Sequence, residues 1–60
     1  MNYEMAENKY MAYLRDGGWS GELNYPNEKA SKQSDDGTWL LLTLTGKRLG
    51  TVSPQGTVRL

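Results

Sequence analysis

Apolar positions along this chain change their period twice. Between residues 3 and 16 they recur at helical spacing: Tyr3, Ala6, Tyr10, Tyr13 and Leu14 fall on one stripe, and Glu4, Lys9 and Arg15 face away. The spacing predicts a helix over residues 3–16. Asn2 stands before it as an N-cap, and Glu4 and Glu7 lie where the positive end of the helix dipole favours carboxylates. Gly17-Gly18 ends it, because glycine takes the left-handed position past a helix C-terminus without steric penalty. Three of the five stripe residues are tyrosines. Their hydroxyls need water or a partner, so the rings are expected at the edge of the core.

From Trp19 the period becomes two. Trp19, Gly21, Leu23 and Tyr25 alternate with Ser20, Glu22 and Asn24, which predicts a strand over 19–25 stopped by Pro26. Residues 26–37 keep neither period, and Ala30 is the only apolar residue there besides the proline. This segment is expected to be a mobile loop, with Asp36-Gly37 turning into the next strand. Strands follow at 38–45, 49–53 and 57–60, joined by turns at Thr45-Gly46-Lys47-Arg48 and Ser53-Pro54-Gln55-Gly56. The expected fold is α+β, a single small domain over 1–60. Its N-terminal helix packs on a four-stranded, mainly antiparallel sheet that ends in a β-meander.

The run Trp39-Leu40-Leu41-Leu42 breaks the alternation expected of a half-buried strand. Register decides which of these residues share a face. A two-residue Gly46-Lys47 turn sets Leu44 opposite Leu49 and groups Trp39 and Leu41 with Val52, Val58 and Leu60. An odd loop, or a bulge at Gly50, shifts the parity by one. Leu40, Leu42, Leu44, Val52, Val58 and Leu60 then share a face. Turn chemistry favours the first arrangement. The second is preferred because it gathers six aliphatic residues for the helix to cover. It leaves Trp39, Leu41 and Leu49 on the other face, next to the Lys47-Arg48 hairpin.

Composition sharpens the question of what covers that remainder. A chain of 60 residues buries only about 60% of the surface it exposes when unfolded. The sequence has no cysteine and no histidine, so neither a disulfide nor a thiolate or imidazole metal site can staple it. Burial of three large side chains contributes very roughly 5–8 kcal/mol, against an association cost of roughly 4–15 kcal/mol. Two copies sharing one patch double the gain, so a homo-oligomer is expected.

The function classes narrow by chemistry. Without His or Cys, a nucleophile would need Ser, Thr or Lys with another base, and no such constellation is present. Asp35-Asp36 is the only adjacent carboxylate pair and reads as a solvated turn. The two glycines of Gly50–Gly56 lack the lysine and the following helix of a phosphate loop. No enzyme activity, cofactor or metal is therefore expected. Ser53-Pro54 reads as a turn opener.

The expected function is that of a protein-interaction or regulatory module, an inhibitor or adaptor that occupies a protein surface. Trp39, Leu41, Leu49, Lys47 and Arg48 are its candidate partner-binding residues. The alternative is a small nucleic-acid-binding protein using the basic Lys47-Arg48 hairpin, since residues 37–60 carry no carboxylate side chain. A formal net charge of zero weighs against that alternative. With no apolar run of membrane length and no signal-peptide pattern, a cytoplasmic location is expected.

Overall fold

Helix α1 runs Tyr3–Asp16, and Asn2 caps it: its side-chain oxygen accepts the Met5 N–H at 2.9 Å. The structure, a computed structural model, describes residues 1–17 and 25–60. Tyr3, Ala6, Tyr10 and Leu14 of the stripe are buried. Tyr13 is not; it is 48% exposed and lies at the rim. Tyr3 and Tyr10 sit deeper than the expected core edge, at 9% and 5% exposure. Gly17 is the C-cap with φ −80°, donating its N–H to Tyr13 O at 2.9 Å. Gly17 thus does not take the left-handed conformation expected of Gly17-Gly18, and Gly18 lies outside the described residues.

The sheet consists of β1 (Lys32–Gln33), β2 (Trp39–Leu42), β3 (Arg48–Val52) and β4 (Val58–Arg59), in spatial order β1-β2-β3-β4 and antiparallel throughout. The helix packs on β2, β3 and β4, giving an α+β arrangement. The predicted strand over 19–25 falls outside the described residues except for Tyr25, which belongs to no strand and is 63% exposed. The fourth strand of the sheet comes instead from the segment read as a loop. Residues 26–37 hold β1 and, before it, a single turn in which Asn27 O accepts the Ser31 N–H and Asn27 Oδ1 accepts the Ala30 N–H. This turn docks by polar contacts. Asn27 N–H donates to Leu42 O at 2.8 Å, and the Ser31 hydroxyl accepts the Leu42 N–H at 3.0 Å. Ser31 is buried at 8% exposure, so a hydroxyl here completes the hydrogen bonding of a strand end.

The three hairpins among the described residues use one connection. In each, a hydroxyl residue and the residue four positions on close a three-residue loop whose last member is glycine at positive φ. The pairs are Ser34–Thr38, Thr43–Lys47 and Ser53–Thr57, and the glycines are Gly37 at 91°, Gly46 at 88° and Gly56 at 90°. An i to i+3 turn followed by a left-handed glycine is the three-residue hairpin whose twist suits adjoining strands. Hydroxyls tie the loops further: Lys47 N–H donates to Thr43 Oγ1 and Thr57 N–H to Ser53 Oγ, each at 3.0 Å. Ser34 donates to the Asp36 carboxylate, and the Thr38 N–H donates to it at 2.9 Å.

The β2–β3 register corrects the preferred sequence reading. The odd loop closed by Thr43 and Lys47, acting alone, would align Val52 with Leu40 and Leu42. A one-residue bulge in β3 then undoes the shift: Leu41 pairs with Gly50 and Leu42 with Arg48, so Leu49 has no partner across the ladder. The two offsets cancel. Trp39 lies opposite Val52 and Leu41 opposite Gly50, with Leu41 and Val52 fully buried. The six-residue core face does not form. Leu40 and Leu42 take the other face, Leu44 stands at the loop tip at 78% exposure, and Leu60 is 56% exposed.

The core is Tyr3, Ala6, Tyr10, Leu14, Leu41 and Val52, with Met1, Met11, Trp39, Leu49 and Val58 packed around it. Tyr3 meets Trp39 edge to face, ring centroids 5.7 Å apart at 77°. Trp39 Nε1 and Gln33 Nε2 both donate to Met1 O, at 3.0 and 3.2 Å, which fastens the start of the helix to the sheet.

Two substitutions test this packing. A Cβ at Gly50 would lie 2.7 Å from Arg59 O and 3.3 Å from Leu60 Cδ2. Gly50→Ala is therefore expected to destabilise by about 1–3 kcal/mol in urea unfolding, and an unchanged midpoint would contradict the close approach of β4. The Tyr3 hydroxyl is buried with no hydrogen-bond partner among the described residues. Tyr3→Phe should hold or raise stability at neutral pH, and a loss above about 1 kcal/mol would mean the hydroxyl is satisfied. Burial, and secondarily the Glu7 carboxylate, pushes the Tyr3 phenol pKa up; burial does the same at Tyr10. The folded chain thus keeps protons that the unfolded chain loses near pH ~10. Stability is full below that pH and falls as pH rises beyond it, and Tyr3→Phe should lessen the alkaline loss.

Candidate functional site

The helix lies on one side of the sheet, and no other helix or strand among the described residues lies on the opposite side. Cross-strand partners lie on the same face, so the pairings define two rows of opposite character. Gln33, Trp39, Val52 and Val58 are consecutive partners on the inner face. Lys32, Leu40, Thr51 and Arg59 are consecutive partners on the outer face. The outer row spans three strand spacings, roughly 14 Å. It places a cation on each edge strand and an apolar residue and a hydroxyl between them. Leu42 and Arg48 pair one step further toward the β2–β3 loop. Leu40, Thr51 and Leu42 are half-buried, whereas Lys32, Arg48 and Arg59 are exposed. Lys32, Gln33, Ser34, Thr38, Leu40 and Thr51 line a shallow, open, mainly apolar concavity on this side.

The bulge explains how the outer face gained its third cation. At a bulge two successive residues share a side, and here Leu49 packs against the core beside buried Gly50. Arg48 is thereby left opposite Leu42, facing outward. Gly50 carries no side chain at the point where two inward residues would otherwise crowd Arg59 O.

Electrostatics add to this polarity. Residues 37–60 contain Lys47, Arg48 and Arg59 and no carboxylate side chain. Among the described residues the only ion pair joins Arg15 and Asp16 of the helix at 3.3 Å, both largely exposed. No carboxylate of the described residues therefore neutralises Lys32, Arg48 or Arg59. The Asp36 carboxylate is held below its usual range by the Ser34 hydroxyl and the Thr38 N–H. It stays ionised and engaged within its own loop.

The five residues singled out from the sequence do not form one surface. Lys47 and Arg48 are exposed at the hairpin, as expected of a tip. Leu41 is fully buried under the helix, and Trp39 and Leu49 pack around the same core. Leu41 is therefore inaccessible in the folded chain, while Trp39 and Leu49 are partly buried. The physical reason is the pair of cancelling offsets between β2 and β3. The homo-oligomer expectation rested on that patch being uncovered, and the helix covers it. The sequence reading did not place Lys32, Leu40, Leu42 and Arg59 together on one outward face. A signal for them existed: Ser/Thr-x-x-Gly recurs at 34, 43 and 53, and the second interval is one residue longer than the first. That extra residue is the bulge.

No family model matches this chain, and no curated protein or solved structure matches it either. Among the described residues, no helix is long and apolar enough to cross a membrane.

The two sheet faces should respond differently to truncation. Leu41→Ala is expected to destabilise by about 2–5 kcal/mol. Leu40→Thr, on the outer face, should change stability by less than about 1 kcal/mol. Chemical unfolding of both variants checks this, and equal losses would contradict the face assignment.

Proposed function

We propose that this chain is a non-enzymatic protein-interaction module that occupies an acidic protein surface with the outer face of its sheet. The observation that carries the reading is the row Lys32–Leu40–Thr51–Arg59, flanked by Arg48. Protein interfaces combine an apolar centre with a polar rim, and Arg is enriched in them. Rim cations steer association and select partners, while apolar contacts at the centre hold the complex. A nucleic-acid platform that stacks bases would use aromatic side chains, and the described outer-row residues include none. The chain's formal net charge of zero is also ill suited to bulk phosphate attraction. A partner that presents carboxylates around a small apolar patch complements this face.

The test compares immobilised wild-type chain with Leu40→Asp and with the double variant Lys32→Glu, Arg59→Glu. Proteins retained from the source-cell extract are quantified by mass spectrometry, and the retained partner is then titrated in purified form. Both variants should keep the wild-type circular dichroism and lose at least about tenfold in affinity, equivalent to ~1.4 kcal/mol. The double variant's loss should shrink as salt is raised. Nuclease-sensitive, salt-dependent retention of DNA or RNA would replace this reading with the nucleic-acid alternative. Equal retention by all three chains would refute it.

A further inference from the structure

The three hairpin loops are built alike, so the chain contains its own control for what the turn requires. Each begins with a hydroxyl residue and reaches a positive-φ glycine three positions later. The residue after the hydroxyl is Asp35 in the first loop, Leu44 in the second and Pro54 in the third. Aspartate and proline both suit a turn, one through local hydrogen bonding and the other through its fixed φ. Leucine supplies neither. Leu44 packs into no core and is 78% exposed, the highest value among the exposed large hydrophobic residues described. After the glycine, the first and third loops carry Thr38 and Thr57, whereas the second carries Lys47, followed by Arg48. The middle loop alone combines an apolar tip with two cations.

This tip is held in shape. Gly46 N–H donates to Thr43 O and Thr43 N–H to Lys47 O, each at 2.9 Å. Lys47 N–H donates to Thr43 Oγ1, which lies 3.0 Å from Thr45 Oγ1. Little freedom remains for the loop to lose on binding, which favours affinity.

We infer that Leu44 is an anchor side chain that inserts into an apolar pocket on the partner protein, with carboxylates at the pocket rim meeting Lys47 and Arg48. This deepens the proposed function, on which it rests, by assigning its anchor and the chemistry of the pocket. The tip is continuous with the proposed face, since Arg48 pairs with Leu42 on the outer side directly behind the loop. A partner pocket is preferred to a lipid bilayer because one leucine is a small apolar anchor, and a single marginal anchor does not hold a protein on a membrane.

Full-length chains carrying a photo-crosslinking residue at position 44, 35 or 54 are irradiated in the source cell, and the adducts are mapped by mass spectrometry. Position 44 should give a protein adduct, positions 35 and 54 at least about tenfold less. The partner residues reached should be apolar, with Asp or Glu beside them. Against that purified partner, Leu44→Ser should weaken binding by about tenfold or more and Leu44→Met much less. Lys47→Glu with Arg48→Glu should slow association in a salt-dependent way. Full binding by Leu44→Ser, equal adducts at all three loops, no adduct at position 44, or adducts only with nucleic acid or lipid would overturn the inference. If Leu40→Asp abolishes binding while Leu44→Ser leaves it intact, the tip assignment fails and the sheet-face reading stands. If neither variant changes binding, both fail.

Discussion

Everything about this fold turns on the parity of one strand pair. A side chain's face alternates at every residue, so one residue gained or lost between β2 and β3 exchanges the inside of the sheet for the outside. The chain does this twice in succession. The three-residue loop over Leu44, Thr45 and Gly46 moves the register by one, and the unpaired Leu49 moves it back. Because the two offsets cancel, Trp39 and Leu41 share a face with Val52 and Val58, and either offset alone would separate them.

Consequences run from that pairing to the helix and to the surface. With Trp39 inward, its ring meets Tyr3 and its Nε1 reaches Met1 O, so the helix start is fixed to the strand that carries the largest inward side chain. Leu49 joins the core through the bulge, and Gly50 gives way to Arg59 O. The outer face receives what the core does not take: Leu40 and Leu42, half-buried, among Lys32, Arg48 and Arg59. A 60-residue chain has little apolar material to spare. The proposed function rests on the row left outside, an apolar centre between cations.

Elements governed by one dominant signal were legible in the sequence. Helix α1 showed its period, its Asn2 cap and its glycine stop, and its bounds follow directly from them. The α+β architecture and the three-strand meander followed from turn residues between apolar runs. What stayed hidden was decided by competing or polar effects. Four consecutive apolar residues at 39–42 satisfy either face, so periodicity could not choose. Gathering six aliphatic residues favoured the wrong parity because Leu44 and Leu60 were assumed to need burial. Segment 26–37 lacked apolar anchors and read as a mobile loop, yet the Asn27 N–H and the Ser31 hydroxyl dock it by hydrogen bonds to the Leu42 backbone, which hydropathy does not register. The candidate surface was displaced for the same reason: Lys47 and Arg48 keep their place at the tip, while Trp39, Leu41 and Leu49 exchange with Leu40 and Leu42.

The face assignment can be read directly because the sequence contains no cysteine. A single thiol introduced at Leu40 or at Leu41 reports the side of the sheet by its rate of reaction with a soluble thiol reagent under native conditions. The account predicts that the thiol of Leu40→Cys reacts readily in the folded chain, while that of Leu41→Cys is protected and reacts only as fast as the chain unfolds. The reverse order, protection at 40 and ready reaction at 41, would contradict it.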